Sequence, residues 1–249
     1  MGRKSHPLGL RLGPLLSWKD MWHSRNYADT FYQNIIIVNH LKRVLNDYEV
    51  IIGDCNIFLS FERANVFIIY YYLNEKGILP QRFIQSERAL KRTKKVSKTS
   101  ELHKNIPWEE LKLAIQNWTQ TTVALSYTRS FNIFDRANFV SGFIRKKVNQ
   151  GISLHKASAL IIQQFARQRG DFIRSNLYGT NYYILKGIRI CCAGRLSGAS
   201  STMSHKKIQS MGPIPIQSFH KYIDYAHDEA HTKYGVCGIK VWLFYEKKN

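Results

Sequence analysis

The chain has 249 residues, 44% of them hydrophobic, which suits one large domain or two small ones, each with its own core, and excludes a disordered tail. Thirty-seven Lys and Arg against seventeen Asp and Glu give a net charge of +20, which points to a polyanionic partner, nucleic acid above all. Four cysteines without C-x-x-C spacing are too few for a disulfide scaffold and suit a reducing compartment.

Residues 1–22 read as an irregular basic arm. Pro7, Pro14, Gly9 and Gly13 deny it regular structure, while Arg3, Lys4, His6 and Arg11 charge it. The arm has no apolar segment of the kind an export signal needs, and its Gly and Pro break up an amphipathic presequence. Residues 27–46 predict a helix, with Ile36, Ile37, His40, Leu41 and Val44 near helical spacing. Two strands follow, "EVIIGDCNIF" and "NVFIIYYYL"; Asp54, Glu62 and Arg63 interrupt this apolar region, so no run spans a membrane and no membrane insertion is expected. A basic, polar insertion covers about 85–104. "IPWEELKLAIQNW" predicts a helix with Pro107 in the first helical position and acids in the first turn, and "TTVALSYTR" a strand. Helical runs cover 135–148 and 153–168, the latter with Leu154, Ala157, Leu160, Ile161 and Phe165 on one stripe. Residues 169–183 read as loop, Ser197 to Gln217 as a Ser/Gly/Pro-rich connection, and the end as two strands around a short helix or turn.

Four chemistries compete for the second half. Cys191 and Cys192, adjacent on a strand, point to opposite faces, so one is expected in the core, and neither has a resolving partner or base in view. "GRLSGAS" lacks both the spacing and the lysine of a Walker loop, and no dinucleotide fingerprint occurs. "HDEAH" puts His227 and His231 four apart, as zinc ligands on a helix would be, but Glu229 is one place off the zincin order and no third ligand is evident. The fourth reading is a sheet. In "GIRICCAGR", Ile188, Ile190 and Cys192 face a core while Arg189, Cys191 and Ala193 face outward. "GIKVWLF" repeats the pattern, with Ile239, Val241 and Leu243 inward and Lys240 and Trp242 outward. Neighbouring strands of this kind give one apolar face and one basic, aromatic face suited to phosphates and bases.

Three segments resemble the family of the universal third protein of the small ribosomal subunit, which carries a type II KH domain. "GRKSHPLGLRLG" is similar to its N-terminal arm G-x-K-x-H-P-x-G-x-R-L-G. "GIRICCAGRLSGAS" is similar to G-I-K-V-x-x-S-G-R-L-G-G-A, and "IDYAHDEAHTKYGVCGIKVWLF" to I-D-Y-x-x-x-x-A-H-T-x-Y-G-x-x-G-V-K-V-W-I-F. The order matches the family's; "VALSYTRSFNIFDRANFVSGFI" fits its last KH strand and following helix loosely.

The resemblance implies an α+β protein in three parts: the arm 1–22, a type II KH-like α/β domain over 23–130, and a C-terminal α/β domain over 131–249 with a mixed or antiparallel sheet packed on helices. The family's GXXG loop, whose amides clamp a nucleic-acid backbone, would follow "NVFIIYYYLNEKG"; only Gly77 stands there, so the loop reads as degenerate. The resemblance also implies a non-catalytic constituent of the small-subunit head. Its partners would be small-subunit ribosomal RNA, mRNA and neighbouring proteins of the head and of the path by which mRNA enters, with no cofactor and no metal. RNA contacts are expected at Arg3, Lys4, His6, Arg11, Arg189, Arg195, His231, Lys233, Tyr234 and Lys240. "LHKASA" lies on the family's mRNA-contacting F-R-R-A-M-K, so His155 and Lys156 take the arginine positions and Ala159 the lysine position. Insertions, the degenerate loop and an Ile/Asn/Tyr/Phe-rich sequence imply a mitochondrial ribosome; the alternatives are a plastid or the bacterial cytoplasm. A start directly at the family's first residues implies synthesis inside the organelle. Two other readings are a free-standing KH-type RNA-binding regulator and a zinc nuclease built on "HDEAH".

Overall fold

The structure, a computed structural model, describes residues 5–22, 24–60, 62–73, 106–168, 171–176, 179–195 and 203–248. The chain forms two compact units. One is Lys19–Phe131; the other joins Met1–Trp18 to Asn132–Asn249. The expected position of the GXXG loop at Gly77 and the basic insertion 85–104 lie outside the described residues, as do Arg3 and Lys4.

In the first unit, helix α1 (Tyr27–Asp47) leads into strands β2 (Val50–Leu59) and β3 (Arg63–Tyr72), then helix α2 (Trp108–Thr119) and strand β4 (Thr122–Ser130). Residues 21 and 22, read as part of the arm, form the short strand β1 (Met21–Trp22). The sheet runs β1-β2-β3-β4, with β2 antiparallel to β3 and β3 parallel to β4. A parallel pair needs a long crossover, and α2 lies on it. α1 buries Ile37, Leu41 and Leu45, spaced four apart, against Ile57, Val66 and Ile68 of the sheet and Leu111 and Ile115 of α2. β3 alternates cleanly, with Ala64, Val66 and Ile68 buried and Arg63, Asn65 and Phe67 exposed. Pro107 is the cap before α2, one place earlier than its expected position, and Glu109 and Glu110 occupy the first turn, where the helix dipole favours acids. This order of elements is a KH-like α+β unit.

The second unit contains α3 (Ala137–Asn149), α4 (Leu154–Arg167) and strands β5 (Asp171–Asn176), β6 (Gly179–Gly194), β7 (His205–Met211), β8 (Tyr222–Thr232) and β9 (Gly235–Lys247). The sheet is antiparallel at every pairing, in the order β5-β6-β9-β8. β6 is long enough to pair with β5 along its first third and with β7 along its last half. α3 buries Phe139, Val140, Phe143 and Ile144, and α4 buries Leu154, Ala157 and Ile161; Ile188, Ile190, Ile239, Val241 and Leu243 are buried beside them. The chain leaves β7 by a backbone-to-backbone approach: a Cβ on Gly187 would stand 2.1 Å from the carbonyl oxygen of Pro213, and one on Gly212, at φ +78°, 2.1 Å from that of Lys186.

Two expectations change here, and one of two alternatives is settled. Residues 169–183 hold strand β5 and the start of β6, not a loop. β5 inverts the usual pattern: Arg174 is 4% exposed while Ile173 is 63% exposed, so the amphipathic signal pointed the wrong way. The buried guanidinium lies over the Tyr245 ring at 4.6 Å and donates to the carbonyl of Asp135. The Ser/Gly/Pro-rich connection contains β7, an edge strand held by backbone pairing to β6 with little apolar content. The C-terminal strands are joined by a tight turn at Lys233 and Tyr234, with no helix between them.

Candidate nucleic-acid interface

The C-terminal sheet has two unlike faces because its strands alternate. One face carries the core; on the other, cross-strand register aligns Tyr225 of β8, Trp242 of β9 and Arg189 of β6, and in the next row His227, Lys240 and Cys191. The rings and charge are in contact: Tyr225 and Trp242 lie 5.2 Å apart, Arg189 sits 5.6 Å over Trp242, and His6 from the arm meets Tyr225 edge-on at 4.8 Å. Such a surface offers both cations for phosphates and ring faces for bases.

Its cations are not neutralised internally. Asp228 pairs with Arg145 at 3.2 Å, Glu246 lies within 4 Å of both Lys186 and Lys221, and Asp171 pairs with Lys248 at 2.5 Å. Asp224 is buried and accepts from the Ala137 N–H at 2.7 Å, capping the N-terminus of α3. Arg189, Arg195, Lys206, Lys207, Lys233 and Lys240 make no ion pair among the described residues. Glu229, two residues beyond His227, is an exposed carboxylate on this face; with the other acids committed elsewhere, most of the charge of the face remains available to an external anion.

The expected residues distribute unevenly. Lys240 is exposed and Arg189 half-buried on the sheet face. Arg195, at the end of β6, stands at the end of the sheet that carries the β8–β9 turn, where His231, Lys233 and Tyr234 are all exposed. Thr232 shapes that turn by donating to the Gly235 carbonyl at 2.7 Å and accepting from the Tyr234 N–H at 3.3 Å. β7, absent from the sequence reading, brings Lys206 beside Ala193 and Lys207 beside Cys192. His155 and Lys156 are exposed in the first turn of α4, which Ser153 caps through the Lys156 N–H. The His155 ring nitrogen Nδ1 is 3.1 Å from Gln209 Nε2, and Lys207 lines the same small hollow, so helix and edge strand form one basic corner.

Arg11 departs from its expected role. It is fully buried, not displayed to RNA. Its Nε donates to the Lys221 carbonyl at 2.8 Å, Nη1 to that of Pro7 at 2.8 Å, and Nη2 to those of Ile216 and Ser218 at 3.0 and 2.8 Å. The four carbonyls replace the water that the guanidinium loses on burial. The arm is therefore fastened by Arg11, and His6 is the described arm residue that reaches the sheet face.

The thiol and zinc chemistries lose their geometry. Both Cys191 and Cys192 are buried, against the expectation of one outward cysteine; the cross-strand neighbours of Cys191, Lys240 and Ile208, are long enough to close over it. Burial, with Cys191 and Cys237 nearby, pushes the Cys192 thiol up to about 12, so it stays protonated and a poor nucleophile. His227 and His231 lie on a strand, not a helix, roughly 13 Å apart at the strand rise, too far to share one ion.

The fold and this face define a class: a two-unit α+β protein with a KH-like first unit and a second unit that turns a basic, aromatic sheet outward. Residues 144–243 match the family model described as ribosomal protein S3, C-terminal domain. The chain is 26% identical to "Small ribosomal subunit protein uS3" of Desulforamulus reducens over 98% of its length and 92% of the relative's. It is 27% identical to the uS3 of Lawsonia intracellularis (98% and 95%) and 27% to "Small ribosomal subunit protein uS3c" of Rhodomonas salina (100% and 96%). Along its whole length the chain is similar to members of the universal ribosomal protein S3 family.

Proposed function

We propose that this chain is a structural constituent of the small ribosomal subunit that binds its ribosomal RNA through the open face of the C-terminal sheet. The observation that carries this reading is the set of cations on and beside that face, Arg189, Arg195, Lys206, Lys233 and Lys240, without carboxylate partners among the described residues. The likeness to this family supports a non-enzymatic role in the ribosome. Arg3 and Lys4, with His6, extend the contact along the arm. The basic corner of His155, Lys156 and Lys207 is our candidate for the contact with mRNA as it enters, beside neighbouring proteins of the subunit head. Lys207 partly restores there the charge that Ala159 withholds from α4. The Ile/Asn/Tyr/Phe-rich composition favours a mitochondrial ribosome.

The test is sedimentation of mitochondrial extract at high salt. The chain is expected in the small-subunit peak; recovery at the top of the gradient sinks the proposal. A second measurement addresses the face itself. Replacing Arg189 and Lys240 together by alanine should flatten the dependence of log K for ribosomal RNA on log salt by about 0.7–0.9 for each phosphate no longer neutralised.

A further inference from the structure

The first unit carries another surface with the chemistry of RNA recognition, and none of its residues is among those assigned above. Near the end of β4, Tyr127, Arg129 and Phe131 stand at alternate positions, with Phe131 just past the strand. Tyr127 is 48% exposed and Phe131 82% exposed, so neither ring contributes much to the core. The Tyr127 ring is fixed from behind by Trp108, parallel to within 4° at 4.3 Å, and Tyr70 tilts against both. The Arg129 guanidinium lies 4.8 Å from the Tyr72 ring and 5.1 Å from that of Phe131. No carboxylate pairs with it among the described residues, and β3 and β4 contain no Asp or Glu.

These features select one ligand chemistry. Ring faces held in place at low entropic cost suit base stacking, and a guanidinium resting on rings keeps its N–H edge free for a phosphate. Bases in a duplex already stack on one another, so their faces are unavailable; an unpaired strand presents them. We propose that Tyr127, Arg129 and Phe131 form a stacking platform for a short unpaired segment of RNA. This site does not use a GXXG loop, and the proposal rests on the reading of the chain as an RNA-bound ribosomal protein.

The experiment compares full-length protein with a Tyr127→Ser, Phe131→Ser double variant, using end-labelled oligoadenylate and an RNA duplex of the same length. The variant should bind the single strand roughly five- to hundredfold more weakly, with duplex binding unchanged. Arg129→Lys, which keeps the charge and loses the planar face, should also weaken single-strand binding selectively. Phe131→Leu alone, at so exposed a position, gives a folded variant if the double substitution does not, and should show the same selectivity. Equal losses for both RNAs, or none, overturn the platform. So does a crosslink from the Tyr127–Phe131 peptide to protein and not to RNA in assembled subunits. If Arg189→Ala with Lys240→Ala weakens RNA binding while the Ser variant does not, the platform fails and the ribosomal reading stands. If the chain does not sediment with the small subunit, the ribosomal reading fails independently of the platform.

Discussion

The two sheets of this protein share a plan and differ in what they show to solvent. Each buries one face under helices. On the outward face of the first, cross-strand register sets Asn65 beside Ala124 and Phe67 beside Ser126, so its paired central rows carry no charge. The corresponding face of the second sheet carries Arg189, Lys240, His227, Tyr225 and Trp242. Core packing needs only the inward half of each alternation, so the outward half is free to be set by a partner. The difference shows why fold alone does not locate function here: the same half-buried design carries uncharged central rows in one unit and is set for a polyanion in the other.

The two units also differ in how they are fastened, and that contrast can be broken experimentally. The largest effect is expected from Arg11→Met. It leaves the carbonyls of Pro7, Ile216, Ser218 and Lys221 without a donor and should destabilise the C-terminal unit by about 3–5 kcal/mol. In a thermal melt followed by limited proteolysis, the arm and the 132–249 region should become cleavable at lower temperature while 19–131 keeps its resistance. Loss of both units together would mean they are not independent. A smaller loss, about 1–3 kcal/mol, is expected from Asp224→Ala, which uncaps α3 at the Ala137 N–H; urea unfolding reports it, and an unchanged midpoint would mean that the cap contributes nothing. The smallest effect is chemical. Cys55 and Cys192, each pushed up to about 12 chiefly by burial, remain thiols at pH 8 and should resist alkylation in the folded protein, then react on unfolding. The sign follows from linkage. The stability from keeping these thiols neutral is complete below the unfolded value near 9 and is lost as pH rises from there towards 12.

Much of the fold was legible because apolar periodicity matched the local element. α1, α4, β3 and the inward set of Ile188, Ile190, Ile239, Val241 and Leu243 lie close to where spacing put them. β5 was hidden by Arg174, an inward charge that the Tyr245 ring and the Asp135 carbonyl help to accommodate. β7 was hidden because an edge strand is held by main-chain bonds that leave no trace in side-chain pattern. For the site, exposed cations such as Lys240 and Lys233 could be read from alternation and turn chemistry. Arg11 could not, because three of its four carbonyl partners lie some 205 to 210 residues away. Lys206 and Lys207 were missed with the strand that carries them, and Tyr127, Arg129 and Phe131 because an aromatic-rich strand end looks the same whether its rings are covered or bare.

The clasp on Arg11 has a consequence for synthesis. Its carbonyl partners at Ile216, Ser218 and Lys221 are made long after it, so the arm emerges from the translating ribosome with no site to occupy. At roughly 5–20 residues per second the delay is on the order of ten to forty seconds. During it the 19–131 unit can fold as an insertion, while a charged, unanchored leader stays accessible to chaperones or to RNA. Closing the clasp would then mark the moment at which the C-terminal unit is complete.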